Sequence, residues 1–216
     1  MARKNNPKTN NFPNVLSIRT QSYADRVIEI REESERFLIV CEGTATEPNY
    51  FRSFRVPINV ITVAGTGRNT KSLVEETIKL RDAAKENDAY DQVWCVFDRD
   101  SFPPDHFNKA LKLAERENIS VAFPNEAFEI WYLLHFDYHD AGMSRQAYGD
   151  KLTSLLKHPY EKNSRTIYDE LFTRQPDALR NARRLHEQYQ PPSPEKDNPC
   201  TTVYLLVEQL NLFLLR

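Results

Sequence analysis

Two short apolar runs, each followed at once by acidic residues, decide the fold of this chain. Residues 37–43 read FLIVCEG and residues 93–100 read VWCVFDRD. A short apolar run that ends in a turn signal is typical of a buried strand, and helical patterns lie between the two runs. Parallel neighbouring strands end at the same edge of a sheet, where α/β proteins bind their ligands. The sequence therefore predicts that Glu42, Asp98 and Asp100 lie together at that edge.

Strand and helix patterns alternate from residue 36 to about residue 135. Such alternation predicts βαβ units, and hence an α/β fold with a mainly parallel sheet flanked by helices. We predict strands at residues 36–41, about 58–63, 92–97 and 119–123. We predict a first helix that Thr46 caps, and further helices that begin near Asn69 or Thr70, after Pro103 and Pro104, and near Asn125.

The chain divides into three parts by pattern. Residues 1–35 form a polar arm that is either partly disordered or in contact with a partner or a phosphate backbone. Residues 36–140 are the α/β domain. In residues 141–216 the strand signal disappears, so we predict a helical extension that packs on the same core. Its helices are expected at residues 144–157, 165–173, 176–189 and 199–214.

Composition narrows the class of protein. The net charge of −2 gives no global basic field, and the 5 glycines argue against a glycine-rich phosphate loop. The three cysteines are far apart, which favours buried free thiols in a reducing compartment. No apolar run approaches the roughly 20 residues that span a membrane, and the first residues do not resemble a secretory signal. We therefore expect a cytoplasmic protein with no membrane contact.

The acidic residues at the two strand ends predict a divalent metal site. Glu42, Asp98 and Asp100 would repel each other unless a cation lay between them, and hard cations such as Mg²⁺ take oxygen ligands. Glu42 could share the metal or act as a general acid or base. The alternative is that Asp98 and Asp100 only form a turn with the serine and prolines that follow.

Several short motifs, in order, resemble those of the RloB-like family, within the Toprim fold of topoisomerases, primases and related nucleases. They are VCEG at 40–43, TEPNYF at 46–51, VFDRD at 96–100, NEAFEIW at 125–131, LLHF at 133–136 and NPCT at 198–201. The resemblance implies a Toprim-like domain in a protein of bacterial anti-phage defence, of the abortive-infection kind. It also implies a metal-dependent nuclease for DNA or tRNA, often encoded beside an ATPase.

The resemblance assigns roles to individual carboxylates. Glu42 matches the Toprim glutamate, the candidate general acid or base, and Asp98 and Asp100 match the D-x-D metal ligands. A clear third aspartate is lacking. Glu129 is the favoured substitute, because it follows the fourth predicted strand at the same edge, and Glu126 is the alternative.

The roles of three charged residues near the starts of the first two predicted helices remain open. Glu47 is either a further ligand or an acid that complements the dipole of the first helix. Arg68 and Lys71 lie at the start of the second helix, where an anion is favoured. They are predicted to bind substrate phosphate, and the alternative is that they are solvated charges.

Three further residues are predicted to bind substrate. His135, inside the LLHF motif, either contacts a phosphate, supports a residue that does, or is a structural histidine. Arg180 and Arg184 lie one helical turn apart on a basic face, with Lys162 among the basic residues upstream. That face is either a phosphate-backbone track or an ordinary solvated surface.

These observations favour a Mg²⁺- or Mn²⁺-dependent endonuclease that acts on nucleic acid, with RNA, and tRNA in particular, favoured over DNA. A toxic activity of this kind needs restraint, so we expect an ATPase partner, and a homo-oligomer is left open. The alternative is a non-catalytic regulatory or nucleic-acid-binding subunit of a defence complex. A nucleotidyltransferase or primase-like role is weaker because no clear nucleotide-binding loop is seen.

Overall fold

The computed structural model describes residues 35–57, 60–67, 70–85, 88–99 and 103–215. Its central sheet has four parallel strands in the order β2-β1-β3-β4. The strands are β1 (Phe37–Cys41), β2 (Ile61–Gly65), β3 (Gln92–Val96) and β4 (Ser120–Ala122). In register, Cys41 pairs with Gly65 of β2 and with Val96 of β3, so β1 and β3 end side by side.

Helices connect and flank these strands. In chain order they are α1 (Thr46–Arg52), α2 (Thr70–Asp82), α3 (Pro104–Arg116), α4 (Glu129–Leu133), α5 (Arg145–Leu156), α6 (Ile167–Leu171), α7 (Gln175–Glu187) and α8 (Val203–Asn211). A short 3₁₀ helix, Phe172–Arg174, joins α6 to α7. The predicted α/β class, with a mainly parallel sheet and a helical C-terminal part, is confirmed.

The sheet is buried on both faces, as parallel sheets usually are. All five residues of β1 are buried, and they alternate between two hydrophobic clusters. Phe37, Ile39 and Cys41 face a cluster that includes residues of α1, α4 and every later helix. Leu38 and Val40 face a cluster built with α2 and α3. Glu35–Arg216 forms one compact unit.

Two predictions about the region after β4 were wrong. The helix expected near Asn125 begins at Glu129, because β5 (Pro124–Asn125) pairs antiparallel with β6 (Cys200–Thr201). That pairing also places a strand where only helices were expected. Asn125 Nδ2 donates to the carbonyl of Asp197 at 2.7 Å. A contact between residues so far apart in sequence overrides the local helical pattern.

The remaining differences are small. The second strand, expected near 58–63, runs from Ile61 to Gly65, and residues 58 and 59 lie outside the described part. The polar arm of residues 1–35 also falls outside it, apart from Glu35. The three cysteines are free and buried, as predicted. In the described ranges, no helix has the length and apolar character needed to cross a membrane.

Candidate functional site

An acidic pocket lies at the carboxyl ends of β1 and β3, with a volume of about 380 Å³. Four carboxylates line it, from the loop after β1, from α1, from the end of β3 and from α4. Two cations also line it, and both come from residues beyond the sheet. The charged lining residues are Glu42, Glu47, Asp98, Glu129, Arg145 and Lys162.

The loop that carries Glu42 continues the pairing of β1. The amide of Glu42 donates to the carbonyl of Val96 at 2.8 Å, and the amide of Gly67 donates to the carbonyl of Glu42 at 2.9 Å. The backbone of Glu42 is therefore held between the ends of β2 and β3. These bonds direct residue 42 into the pocket that Asp98 also lines.

Glu47 is placed in the pocket by the start of α1. Its side chain lies against Gly43, so closely that any Cβ at position 43 would collide with Glu47 Oε2. The residue is only 7% exposed. Burial, reinforced by the nearby Glu129 carboxylate, raises the pKa of Glu47 above its ordinary value.

Asp98 lies two residues after the end of β3 and lines the pocket. Its neighbour Arg99 donates its amide to the carbonyl of Pro124 at 2.8 Å, which fixes the backbone there. Asp98 Oδ2 lies 3.4 Å from Arg145 Nη2, whereas the buried Oδ1 has no hydrogen-bond partner among the described residues. Burial, and after it repulsion from Glu47, raises the pKa of Asp98 well above its ordinary value.

Glu129 is the first residue of α4 and is 3% exposed. Two side chains approach the same carboxylate oxygen, Oε1. Tyr160 donates its hydroxyl at 3.1 Å, and Lys162 Nζ lies 3.7 Å away. Burial, and after it the charge of Glu129, raises the pKa of Tyr160, so that this hydroxyl stays a proton donor.

The helical extension supplies two residues that were not predicted from the sequence, Arg145 and Tyr160, and one, Lys162, that the sequence places only on a candidate phosphate track. Arg145 is the first residue of α5, whose start is capped by Ser144 Oγ. Tyr160 and Lys162 lie on the loop between α5 and α6. That loop is fixed on α1, because Thr46 Oγ1 donates to the carbonyl of Lys162 at 2.7 Å.

No local signal marks these residues as part of the site. Arg145 and Tyr160 belong to no motif that bears on chemistry, and the pattern groups Lys162 with a basic face that is either a phosphate-backbone track or a solvated surface. Their role depends on how the extension packs against the sheet. For Glu47, which the sequence leaves open between a ligand and a helix-start acid, the structure shows a place in the pocket.

The structure brings together three of the predicted site residues. Glu42, Asp98 and Glu129 line the same pocket. Glu126, the alternative to Glu129, instead lies 4.0 Å from Arg145 through its Oε1 and is not part of the lining. Asp100, predicted as a metal ligand, lies outside the described residues.

Most of the predicted substrate-binding residues lie elsewhere. Arg68 is outside the described residues. Lys71 Nζ lies 3.3 Å from Glu75 Oε1 on the surface of α2 and does not line the pocket. Arg180 and Arg184 line a separate groove on α7, where Arg180 pairs with Asp177 at 2.7 Å.

His135 lies in the core and does not line the pocket, so a direct contact with substrate stays a prediction without support from its position. The residue is 1% exposed, and its Nδ1 lies 2.9 Å from the carbonyl of Trp131. Burial lowers the pKa of His135 to about 4. This burial fits the structural alternative for His135.

The pocket offers a hard cation the right kind of donor. Its carboxylate oxygens are the ligands that Mg²⁺ and Mn²⁺ prefer, and the unpartnered Oδ1 of Asp98 is a buried acceptor with capacity for one more contact. In the described ranges, no three His, Cys, Asp or Glu side chains stand at ligand spacing. The donor chemistry therefore fits a hard cation, and binding one would require the carboxylate side chains to move closer together.

Comparisons with known proteins place most of the chain in one family. The sequence model of the family described as RloB-like protein matches residues 37–210. That span runs from the first residue of β1 almost to the end of α8, so it includes every described residue of the pocket. No curated protein and no solved structure matches the chain significantly.

Proposed function

The chain belongs to the RloB-like family, and from that premise we propose that it is a Mg²⁺- or Mn²⁺-dependent endonuclease that hydrolyses phosphodiester bonds in nucleic acid. The observation that carries the proposal is the convergence of Glu42, Glu47, Asp98 and Glu129 on one pocket at the carboxyl edge of the sheet. Buried like charges are costly without a counter-charge, and they persist where a function needs them.

Three of these four carboxylates are assigned a role. Asp98 and Glu129, just after the end of β3 and at the start of α4, would hold the cation, with Asp100 as the further ligand that the family motif assigns. Glu42 lies on the loop beside them and would take or give the proton of the attacking water. When bound, a divalent cation polarises the scissile phosphate and stabilises the charge that develops on it.

The biological setting of the proposal comes from the resemblance to nucleases of anti-phage defence. We propose that the protein is a cytoplasmic effector of abortive infection whose activity an ATPase partner controls. RNA, and tRNA in particular, is favoured over DNA as the substrate. The proposed metal dependence can be tested first, because inhibition by EDTA distinguishes this activity from that of contaminating metal-independent ribonucleases.

The test is a cleavage assay with total tRNA, single-stranded RNA and plasmid DNA, in Mg²⁺, Mn²⁺ or EDTA. The variant Asp98→Asn keeps the shape of the side chain and removes its charge. Asp105→Asn is the matched control, because Asp105 is an exposed acid of α3. The proposal predicts cleavage that EDTA abolishes, that Asp98→Asn reduces at least about a hundredfold, and that Asp105→Asn leaves intact.

Two results would count against the proposal. Cleavage that survives EDTA or Asp98→Asn would exclude the acidic pocket as its source. If no substrate is cut, the assay is repeated with the proposed ATPase partner. Inactivity of that complex, combined with failure of Asp98→Asn to associate with the ATPase, would favour a non-catalytic regulatory subunit.

A further inference from the structure

Two cationic side chains of the helical extension form ion pairs with carboxylates at the edge of the sheet. Arg145 Nη2 lies 3.4 Å from Asp98 Oδ2, and Lys162 Nζ lies 3.7 Å from Glu129 Oε1. The pairs are unequal in exposure. The side chains of Arg145 and Lys162 are 41% and 61% exposed, whereas those of Asp98 and Glu129 are 16% and 4% exposed. In each pair, the carboxylate is largely enclosed and the cation is in contact with solvent.

This arrangement is a weak way to stabilise a fold. The two distances, 3.4 and 3.7 Å, are longer than the roughly 2.7–2.9 Å of a strong charge-assisted contact, and ion pairs with an exposed partner contribute little. Arg145 is also anchored outside the pocket, since its Nη2 donates to the carbonyl of Glu126 at 3.2 Å. Its position therefore does not depend on Asp98 alone.

Both cations nevertheless lie on backbone that hydrogen bonds hold in place. Arg145 opens α5, which Ser144 caps. Lys162 lies on a loop that α1 fixes twice, since Thr46 Oγ1 bonds the carbonyl of Lys162 and Asn49 Nδ2 bonds that of Asn163, the latter at 3.0 Å. The loop thus brings a positive charge to the mouth of an acidic pocket, where an anionic substrate would arrive.

We infer that Arg145 and Lys162 are phosphate-binding residues that neutralise the acidic pocket only until a divalent cation takes over that role. The inference rests on the proposed function and names how that site holds its substrate. With the carboxylates neutralised by the metal, the guanidinium of Arg145 and the ammonium of Lys162 turn to the non-bridging oxygens of the phosphodiester. Arginine and lysine are suited to this task as a planar fork and a point charge.

This inference predicts opposite effects on two ligands. A cation that competes with the metal lowers metal affinity, so its removal should tighten metal binding. The same cation attracts the substrate, so its removal should weaken RNA binding. A purely structural ion pair predicts a different result for the metal, because its loss would leave the pocket less ordered and would weaken the binding of both ligands.

The experiment uses the full chain and measures Mn²⁺ affinity by titration calorimetry in the absence of RNA. Arg145→Gln and Lys162→Gln should each bind Mn²⁺ about threefold to tenfold more tightly than wild type, as expected for loss of one nearby positive charge. Arg165→Gln is the matched control, because Arg165 is an exposed cation of the same loop that does not line the pocket. Its Mn²⁺ affinity should stay within about twofold of wild type.

Binding of a single-stranded RNA oligonucleotide is then measured with Ca²⁺ in place of Mn²⁺ to slow cleavage. Each pocket variant should bind the RNA about tenfold more weakly. The slope of log K against log salt concentration should also become shallower by about 0.7, the value for one lost phosphate contact with a single strand. Arg145→Lys, which keeps the charge, should retain the Mn²⁺ affinity of wild type. Because Arg145 and Lys162 lie on separate elements, a folding defect in one variant leaves the other informative.

The outcomes separate this inference from the proposed function. Tighter Mn²⁺ binding together with weaker RNA binding supports the inference. Mn²⁺ binding that is unchanged or weakened in both variants, in a wild-type protein that binds Mn²⁺, overturns the inference alone. A wild-type protein that binds no divalent cation overturns the proposed function and the inference together.

Discussion

The two sides of the acidic pocket are built in different ways. On the sheet side, Glu42 and Asp98 follow buried strands directly, so the pairing of β1 with β3 brings them together. On the side of the helical extension, Arg145 and Lys162 reach the pocket only through the packing of α5 and the loop after it. The carboxylates thus depend on local chain order, and the cations depend on tertiary packing.

An aromatic cluster joins the two sides. Tyr50 of α1 is fully enclosed, and its ring contacts those of Phe128 in the α/β region and Tyr168 in the extension at centroid distances of 5.8 and 5.5 Å. Such ring pairs add to the free energy gained by burial. The cation side of the pocket is therefore held by apolar packing behind it, and the difference between the two sides can be tested by mutation.

The largest effect is expected from breaking this cluster. Tyr50→Ala removes a buried ring and should lower the free energy of unfolding by about 3–5 kcal/mol. Tyr90→Ala, which removes a partly exposed ring stacked with Arg36, should cost much less. Urea denaturation of both variants measures the difference. Equal losses in the two variants would mean that the cluster does not hold the extension to the sheet.

A second prediction concerns pH and the buried imidazole just after α4. Because the folded pKa of His135 is about 4 and its ordinary value is 6.5, the folded state binds this proton more weakly than the unfolded state. The stability it contributes is complete above about pH 6.5 and is lost as the pH falls towards 4. The full loss is about 3 kcal/mol, since each tenfold change in proton affinity is worth about 1.4 kcal/mol.

The matching experiment follows urea denaturation between pH 4 and 7. His135→Gln has a neutral side chain at every pH, so its free energy of unfolding should fall less between pH 7 and pH 4 than that of wild type. His158 is the control of opposite sign, because Glu170 raises its pKa and its small contribution is lost as the pH rises. An unchanged pH dependence in His135→Gln would contradict the prediction, because it would show that folding does not shift the pKa of His135.

The smallest effect on stability is expected at two glycines. Gly43→Ala would push the end of the flexible Glu47 side chain aside, so we expect a cost below about 1 kcal/mol but weaker Mn²⁺ binding. Gly149→Ala, inside α5, meets only an ordinary contact at 3.8 Å with Tyr160 and should gain about 0.5–1 kcal/mol. Scanning calorimetry of both variants measures the two changes in stability. Titration calorimetry measures the Mn²⁺ affinity of Gly43→Ala, and an unchanged affinity would show that Glu47 is not part of the metal site.

The same contrast explains what could be predicted from the sequence. The strands β1 and β3 are recognisable because an apolar run that ends in a turn is a local signal, and parallel pairing then places Glu42 beside Asp98. Glu129 is located through its motif, although the helix that carries it begins later than expected. That error arises because β5 pairs with the distant β6.

The rest of the pocket could not be found in this way. Arg145, Tyr160 and Lys162 lie on ordinary helical and loop sequence, and only the hydrogen bonds between α1 and the extension bring the loop to Glu129. His135 shows the opposite case, because its place in a motif suggests a substrate contact and its side chain is buried. Sequence pattern identifies residues that matter without saying whether they matter for packing or for chemistry.

The most direct measurement of the central claim is thermal denaturation of wild type and Asp98→Asn at pH 7 over a series of Mn²⁺ concentrations. A cation site in the acidic pocket predicts that wild type gains stability with Mn²⁺, by about 2.7 kcal/mol at about a hundred times Kd. Asp98→Asn should show no gain. Without metal it should be at least as stable as wild type, because burial and repulsion disfavour the charge of Asp98. Equal Mn²⁺ stabilisation of the two proteins would contradict the claim.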